Sequence, residues 1–87
     1  MIENLFKLVR ERKNNPLDGS YTNKLLSDKS LSKAKVLEEI NELMEAVEKD
    51  TNKIHEAADV LYHLMVLLEA NGIKIEDVMK ELKKRQK

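Results

Sequence analysis

The stretch LSKAKVLEEINELMEAVEKDTNKIHEAADVLYHLMVLLEAN, residues 31–71, decides the fold. It holds two long segments of helical periodicity on either side of Asp50-Thr51-Asn52, a run of turn- and cap-forming residues. At about 100° per residue, Val36, Leu37, Ile40, Leu43, Met44 and Val47 of the first segment fall within an arc of about 120°. Glu39 and Glu42, with Lys35 and Ala46, line one flank of that stripe, and Glu38 and Glu45 point farther round toward solvent. On the second segment Ile54, Ala57, Ala58, Val60, Leu61, Tyr62, Leu64, Met65, Leu67 and Leu68 cover more than half the circumference. A surface helix needs an apolar stripe of only about 100°, so this helix is expected to be covered on two sides. Its remaining strip carries Glu56, Asp59 and His63, helical neighbours at i, i+3 and i+7, with His55 on the shoulder toward the surface. The short break makes the two helices an antiparallel hairpin.

The flanking sequence extends the same pattern. Residues 2–14 read as a helix, with Ile2, Leu5, Phe6, Leu8 and Val9 at helical spacing, and Asn14-Asn15-Pro16 stops it. Asp18-Gly19 reads as a turn and Ser20 as the cap of a short helix to about Leu26. Residues 27–30 break the pattern, which puts the cap of the next helix at Ser30 or Ser32. Asn71-Gly72 is a C-terminal stop, and a last helix runs from about Ile75 into the basic tail. The expected fold class is all-α, a small bundle of four to five helices forming one domain over residues 1–87.

A chain of 87 residues buries only about 60% of its unfolded surface and is marginal alone. Without cysteine it has neither disulfides nor thiolate–metal sites to compensate, so homodimerisation, with the broad-faced helix near the interface, is the expected remedy. The cysteine-free composition and the absence of a signal-peptide core in residues 1–15 set a cytoplasmic expectation. The longest uncharged apolar run, residues 60–68, falls far short of the roughly 20 residues a membrane span requires. The net charge is zero, which argues against nucleic-acid binding, and the basic run at residues 83–87 reads as a solvated helix end. That zero is uneven: residues 38–59 hold eight acids against two lysines.

Glu39/Glu42 and Glu56/Asp59 are two i, i+3 carboxylate pairs on adjacent helices. The hairpin brings them face to face, where four carboxylates repel by several kcal/mol unless protonated or neutralised. Hard oxygen donors suit Mg²⁺, or Mn²⁺, with open positions left for water and phosphate oxygens. A solvated acidic face paired with lysines is the alternative reading of the same residues.

With these residues in hand, Glu38-Glu39-x-x-Glu42 followed by Glu56-x-x-Asp59 resembles the all-α nucleoside-triphosphate pyrophosphohydrolases of the MazG-like superfamily. Within it the chain is similar to the phosphoribosyl-ATP pyrophosphohydrolases of histidine biosynthesis. Three segments carry the narrower likeness: Gly19-Ser20-Tyr21-Thr22 with Lys24-Leu25-Leu26, Lys35-Val36 with Glu38-Glu39, and residues 55–64, HEAADVLYHL. It covers about residues 5–83. The departures are Leu37, where the family usually has glycine, and Ile40, where it usually has a small residue; both add bulk.

The resemblance implies Mg²⁺-dependent hydrolysis of phosphoribosyl-ATP to phosphoribosyl-AMP and pyrophosphate. It implies Glu39, Glu42, Glu56 and Asp59 as metal ligands, and Glu38 and Glu39 as catalytic candidates, Glu38 either orienting water or facing solvent. Lys35 reaches a phosphate or pairs with Glu39. Lys24, and after it Lys33, are further phosphate candidates. Ser20, Tyr21 and Thr22 contact substrate or serve the helix start, and His63 contacts substrate or acts as a structural hydrogen-bond partner. Two other readings compete. A house-cleaning pyrophosphohydrolase would use the same acids on simple nucleotides, and a non-catalytic helical dimerisation module would use them as mere surface. A di-iron carboxylate protein would need Glu-x-x-His, which the sequence lacks.

Overall fold

Each helix starts and stops where the flanking residues supply or refuse backbone hydrogen bonds. The computed structural model describes residues 2–17 and 19–86, apart from the side chains of Ile2 and Glu3. Its elements are α1 (Ile2–Asn14), α2 (Tyr21–Ser27), α3 (Lys29–Lys49), α4 (Lys53–Ala70) and α5 (Ile75–Arg85), with no strand among the described residues. The all-α expectation holds. The Asp18 half of the expected turn, Lys87 of the tail and the expected apolar position of Ile2 lie outside the described residues and side chains.

The start of α3 differs from the expectation of a serine cap. Asp28 caps it, accepting from the Leu31 N–H at 3.0 Å, while its own N–H bonds back to Leu25. One extended residue thus closes α2 and opens α3. Ser30 lies within the helix, and Ser32 is drawn into the interior at 1% exposure, so neither is free to cap. Between α3 and α4 the turn is as expected, and Asp50 and Asn52 both adopt left-handed backbone (φ 56° and 43°), which Asp and Asn tolerate. The Thr51 N–H reaches the Ala46 carbonyl at 3.0 Å, closing α3 in a Schellman arrangement. Asn52 holds the cap position of α4, but its side chain makes no capping bond, because a capping side chain needs extended backbone. Gly72, at φ 71°, ends α4 as expected, with the Ile73 N–H on the Leu68 carbonyl.

α4 is the central element. Met65 meets Phe6 and Ile75 in one apolar cluster, and Val66 meets Val9 and Leu25 in another. Part of the cover expected from a second subunit therefore comes from α1, α2 and α5 of the same chain. The other side of α4 stays bare: Ile54 is 88% exposed, and Leu61 and Leu64 are exposed too. α3 is rotated relative to its expected orientation. Its buried residues are Ser32, Val36, Glu39 and Ala46, whereas Leu37, Met44 (60%) and Val47 of the apolar stripe face out. The flank carrying the acids packs on α4 together with Val36; Ile40 and Leu43 are half-buried, and the Leu37, Met44 and Val47 side of the stripe is left uncovered. The radius of gyration is 14.0 Å, where about 12 Å is usual for this length. Likewise the accessible surface is 6532 Å², against about 5,300 Å² for a folded monomer of this mass.

Arg10 ties three helices together. Its guanidinium forms a two-pronged pair with Glu76 of α5 at 2.8 and 2.7 Å, and its Nε lies 3.4 Å from Glu69 of α4. The hydrogen bonds to Arg10 hold the Glu76 carboxyl down to about 2. Stability from this pair is present above the ordinary carboxylate value of 4.5 and is lost as pH falls toward 2. Glu76→Gln is therefore expected to lower the melting temperature at pH 7, with the deficit vanishing near pH 2 and shrinking in high salt, because the pair is half exposed. Thermal melts of both proteins across that range check it.

Candidate metal centre

The α3–α4 hairpin brings the expected acids together as two overlapping groups. Glu39, Glu42 and Glu56 each offer a carboxylate oxygen within 4.8 Å of the others, and a ring nitrogen of His55 lies as close to carboxylate oxygens of Glu56 and Asp59. Glu56, in the first turn of α4, is common to both. Glu39 is only 9% exposed, and one oxygen each of Glu39 and Glu56 is buried without a hydrogen-bond partner among the described residues. Burial pushes the Glu39 carboxyl up, and the neighbouring Glu42 pushes it further. Burial also raises Glu56, again reinforced by Glu42. Buried acceptors that lack donors, crowded by like charge, are a donor set matched to a hard divalent cation. His55 was expected at the surface and is exposed, yet its Nε2 lies 3.2 Å from the Asp59 carboxylate, a contact readable only as an i, i+4 spacing.

Other expected site residues divide. Glu38 is exposed and outside both groups; it pairs with Lys35 at 3.2 Å, so the lysine's partner is Glu38 rather than Glu39. That hydrogen bond raises the Lys35 ammonium. Lys24, in the last turn of α2, and Lys33 of α3 are both exposed. Ser20 caps α2, accepting from the Asn23 N–H at 3.3 Å. Tyr21 and Thr22 join α2 to α4: the Tyr21 hydroxyl lies 2.9 Å from His63 Nε2, and the Thr22 and Tyr62 hydroxyls bond to each other. His63, 6% exposed, also bonds the Asp59 carbonyl oxygen through Nδ1. It is thus engaged within the fold, as its structural reading had it. Of the two bulky departures, Leu37 is exposed and Ile40 half-buried.

Sequence reasoning missed Asn23. Its Oδ1 accepts from the Leu17 N–H at 2.8 Å and its Nδ2 donates to the Arg12 carbonyl at 2.6 Å, fixing the loop that leads to Tyr21. An asparagine one turn into a short helix carries no periodic signal by which to find it. Two hollows flank these elements. A cleft of about 230 Å³ is lined by Glu42, Glu45 and Glu56 with Lys49, Thr51 and Asn52, so it opens on the acids. The larger hollow, about 640 Å³, lies against α2 and the loop before it, with Ser20, Tyr21 and Lys24 in its wall and none of the acids. The carboxylates, not the size of the hollow, locate the chemistry. Tyr21 lines the larger hollow, and its hydroxyl reaches His63, which bonds the Asp59 carbonyl oxygen.

Comparison with known proteins gives the family. A profile of the phosphoribosyl-ATP pyrophosphohydrolase family matches residues 2–86. The chain belongs to the phosphoribosyl-ATP pyrophosphohydrolase family. It is 47% identical to the phosphoribosyl-ATP pyrophosphatase of Clostridium acetobutylicum, over 98% of this chain and 80% of that protein. Its identity with the Streptococcus thermophilus phosphoribosyl-ATP pyrophosphatase is 49%, over 99% of this chain and 86% of that protein. The histidine biosynthesis bifunctional protein HisIE of Pyrococcus furiosus is 41% identical across the whole chain, which spans 42% of that protein. Among the described residues of this family member, no helix is long and apolar enough to cross a membrane.

In this pyrophosphohydrolase-family chain the metal-free acids oppose the fold. With their pKa values raised, Glu39 and Glu56 destabilise it progressively as pH rises above 4.5. Glu39→Gln is expected to raise the metal-free melting temperature at pH 7.5 by a few degrees, an advantage that fades as pH falls toward 4.5. The same variant is expected to lose any stabilisation by added Mg²⁺. Calorimetry with and without the ion reads both effects.

Proposed function

We propose that this chain hydrolyses phosphoribosyl-ATP to phosphoribosyl-AMP and pyrophosphate, with Mg²⁺ held by Glu39, Glu42, Glu56 and Asp59. The family match over residues 2–86 supports the reaction, and the orphaned buried oxygens of Glu39 and Glu56 support the ion. The bound ion would supply Lewis-acid neutralisation of the triphosphate charge. Water attacks phosphorus in line; its oxygen bonds there as the anhydride bond between the α- and β-phosphates breaks, and pyrophosphate leaves. A carboxylate of the cluster takes the water proton, and Glu39, by its place among the acids, is the candidate for that task. Lys35 offers a cation beside the cluster for a phosphate, at the expense of its pair with Glu38.

The working unit in this proposal is a homodimer in a reducing, cytoplasmic setting. Leu37, Met44, Val47, Ile54, Leu61 and Leu64 run along the α3–α4 hairpin uncovered, and the chain exposes over 1,000 Å² more than a monomer of its mass usually does. That excess is more than the roughly 800 Å² per partner that a standard interface buries. Light scattering on the eluting protein is expected to give twice the chain mass, and Met44→Lys to shift it toward the monomer.

Pyrophosphate release from phosphoribosyl-ATP, with dUTP, dCTP and ATP as controls, tests the reaction. Metal-dependent turnover of phosphoribosyl-ATP alone is expected, and turnover of the simple nucleotides instead would overturn the substrate. Alanine at Glu39 or Asp59 is expected to cut the rate by roughly 10²-fold or more while leaving helicity intact.

A further inference from the structure

We propose that the larger hollow, against α2 and the loop before it, is a specificity subsite in which Lys13 and Lys24 hold the 5′-phosphate of the substrate's phosphoribosyl arm rather than its triphosphate. The proposal rests on the reaction proposed above and names what separates phosphoribosyl-ATP from a simple nucleotide. That substrate carries phosphate at two ends, a triphosphate on one ribose and a single phosphate on the other, with the adenine between them. Two recesses of opposite character face it. The cleft of about 230 Å³ is lined by three acids against one lysine, Lys49, which already pairs with Glu45, so a phosphate is held there only through a cation. The hollow of about 640 Å³ is large enough for a sugar phosphate, and its charged lining among the described residues is Lys13 and Lys24, both cationic. A phosphate monoester needs no metal in such a place.

Hydrogen bonds build the hollow in advance. Asn23, in its wall, accepts from the Leu17 N–H at 2.8 Å and donates to the Arg12 carbonyl at 2.6 Å, which sets the spacing between the end of α1 and the start of α2. Lys13 donates to the Glu69 carbonyl at 2.7 Å. That bond places the ammonium without neutralising it, because a carbonyl carries no net charge and the ammonium has three donors. Ser20 and Leu17 add the polar and apolar walls that a ribose requires. Tyr21 also lines the hollow, and its hydroxyl lies 2.9 Å from His63 Nε2, while His63 Nδ1 lies 2.8 Å from the Asp59 carbonyl oxygen. One tyrosine and one imidazole therefore separate the hollow from the backbone of an expected metal ligand. A ligand with a base and a sugar between its two phosphates spans that separation.

The test uses the full chain with Mg²⁺, and compares wild type with Lys13→Gln, Lys24→Gln, Lys24→Arg and the double variant Lys13→Gln/Lys24→Gln. Each glutamine variant is expected to raise KM for phosphoribosyl-ATP about tenfold, with the loss falling on KM rather than kcat, and Lys24→Arg to recover most of it. Competitive inhibition separates the two ends of the substrate. Wild type is expected to bind phosphoribosyl-AMP about tenfold or more tightly than the same compound without its phosphoribosyl 5′-phosphate, and the double variant to bind the two equally. ATP and pyrophosphate, which lack that arm, are expected to inhibit all the proteins alike. Weaker inhibition by ATP or pyrophosphate in the glutamine variants would assign the lysines to the triphosphate and overturn the proposal. An unchanged KM in the double variant, or equal binding of the two phosphoribosyl-AMP forms by wild type, would overturn it as well. If Lys13→Gln fails to fold by circular dichroism, having lost its bond to Glu69, then Lys24→Gln decides alone. Wild type that releases no pyrophosphate from phosphoribosyl-ATP would overturn the reaction itself, a result distinct from normal turnover in which the 5′-phosphate goes unread.

Discussion

Like charge held together across the α3–α4 hairpin is the constraint around which the rest of the molecule is arranged. Glu39 and Glu42 come from one helix and Glu56 and Asp59 from the next, and the left-handed residues Asp50 and Asn52 make the turn short enough to oppose them. In the metal-free protein this arrangement costs stability, as the raised carboxyls of Glu39 and Glu56 record. It persists because α4 is anchored elsewhere. Phe6, Met65 and Ile75 pack at one place, Val9, Leu25 and Val66 at another, and Arg10 bridges Glu69 and Glu76. A site that opposes its own fold needs such independent support, and the cation proposed above would relieve the repulsion.

The short helix α2 is the other half of the arrangement. With seven residues it has little stability of its own, so its position depends on what holds it. Asn23 fixes the loop before it, Asp28 joins it to α3, and the Tyr21–His63 and Thr22–Tyr62 pairs fasten its first turn to α4. His63 links the two halves, since its ring bonds the backbone of Asp59 on one side and Tyr21 on the other. A displacement of α2 is thereby coupled to the residue that carries one of the acids.

The bare apolar face and the buried acids have one cause. Packing α3 on α4 through Ser32, Val36, Glu39 and Ala46 turns Leu37, Met44 and Val47 outward. Rotating α3 to bury its most apolar stripe would carry Glu39 away from Glu56 and dissolve the site. Keeping the acids inside leaves hydrophobic surface exposed, which the homodimer proposed above would cover, and in a chain this small that surface is a large share of what is available for stability.

Much of this was legible in the sequence. The five helices, the turn at residues 50–52, the stop at Gly72 and the pairing of the four acids followed from 3.6-residue periodicity and from cap and turn chemistry, because these are local properties of the chain. Helix rotation was not legible: the apolar arc of α3 is a property of that helix alone, while the face it buries is chosen jointly with α4, where small Ala46 and Val36 allow close approach. The roles of Asp28 and Asn23, and the particular partners of His63, were out of reach for a similar reason. Each satisfies a backbone or hydroxyl partner whose position only the folded chain defines. Sequence determined which residues were available to neutralise one another; tertiary structure decided which of them meet, because burial and hydrogen bonding depend on distances that periodicity does not contain.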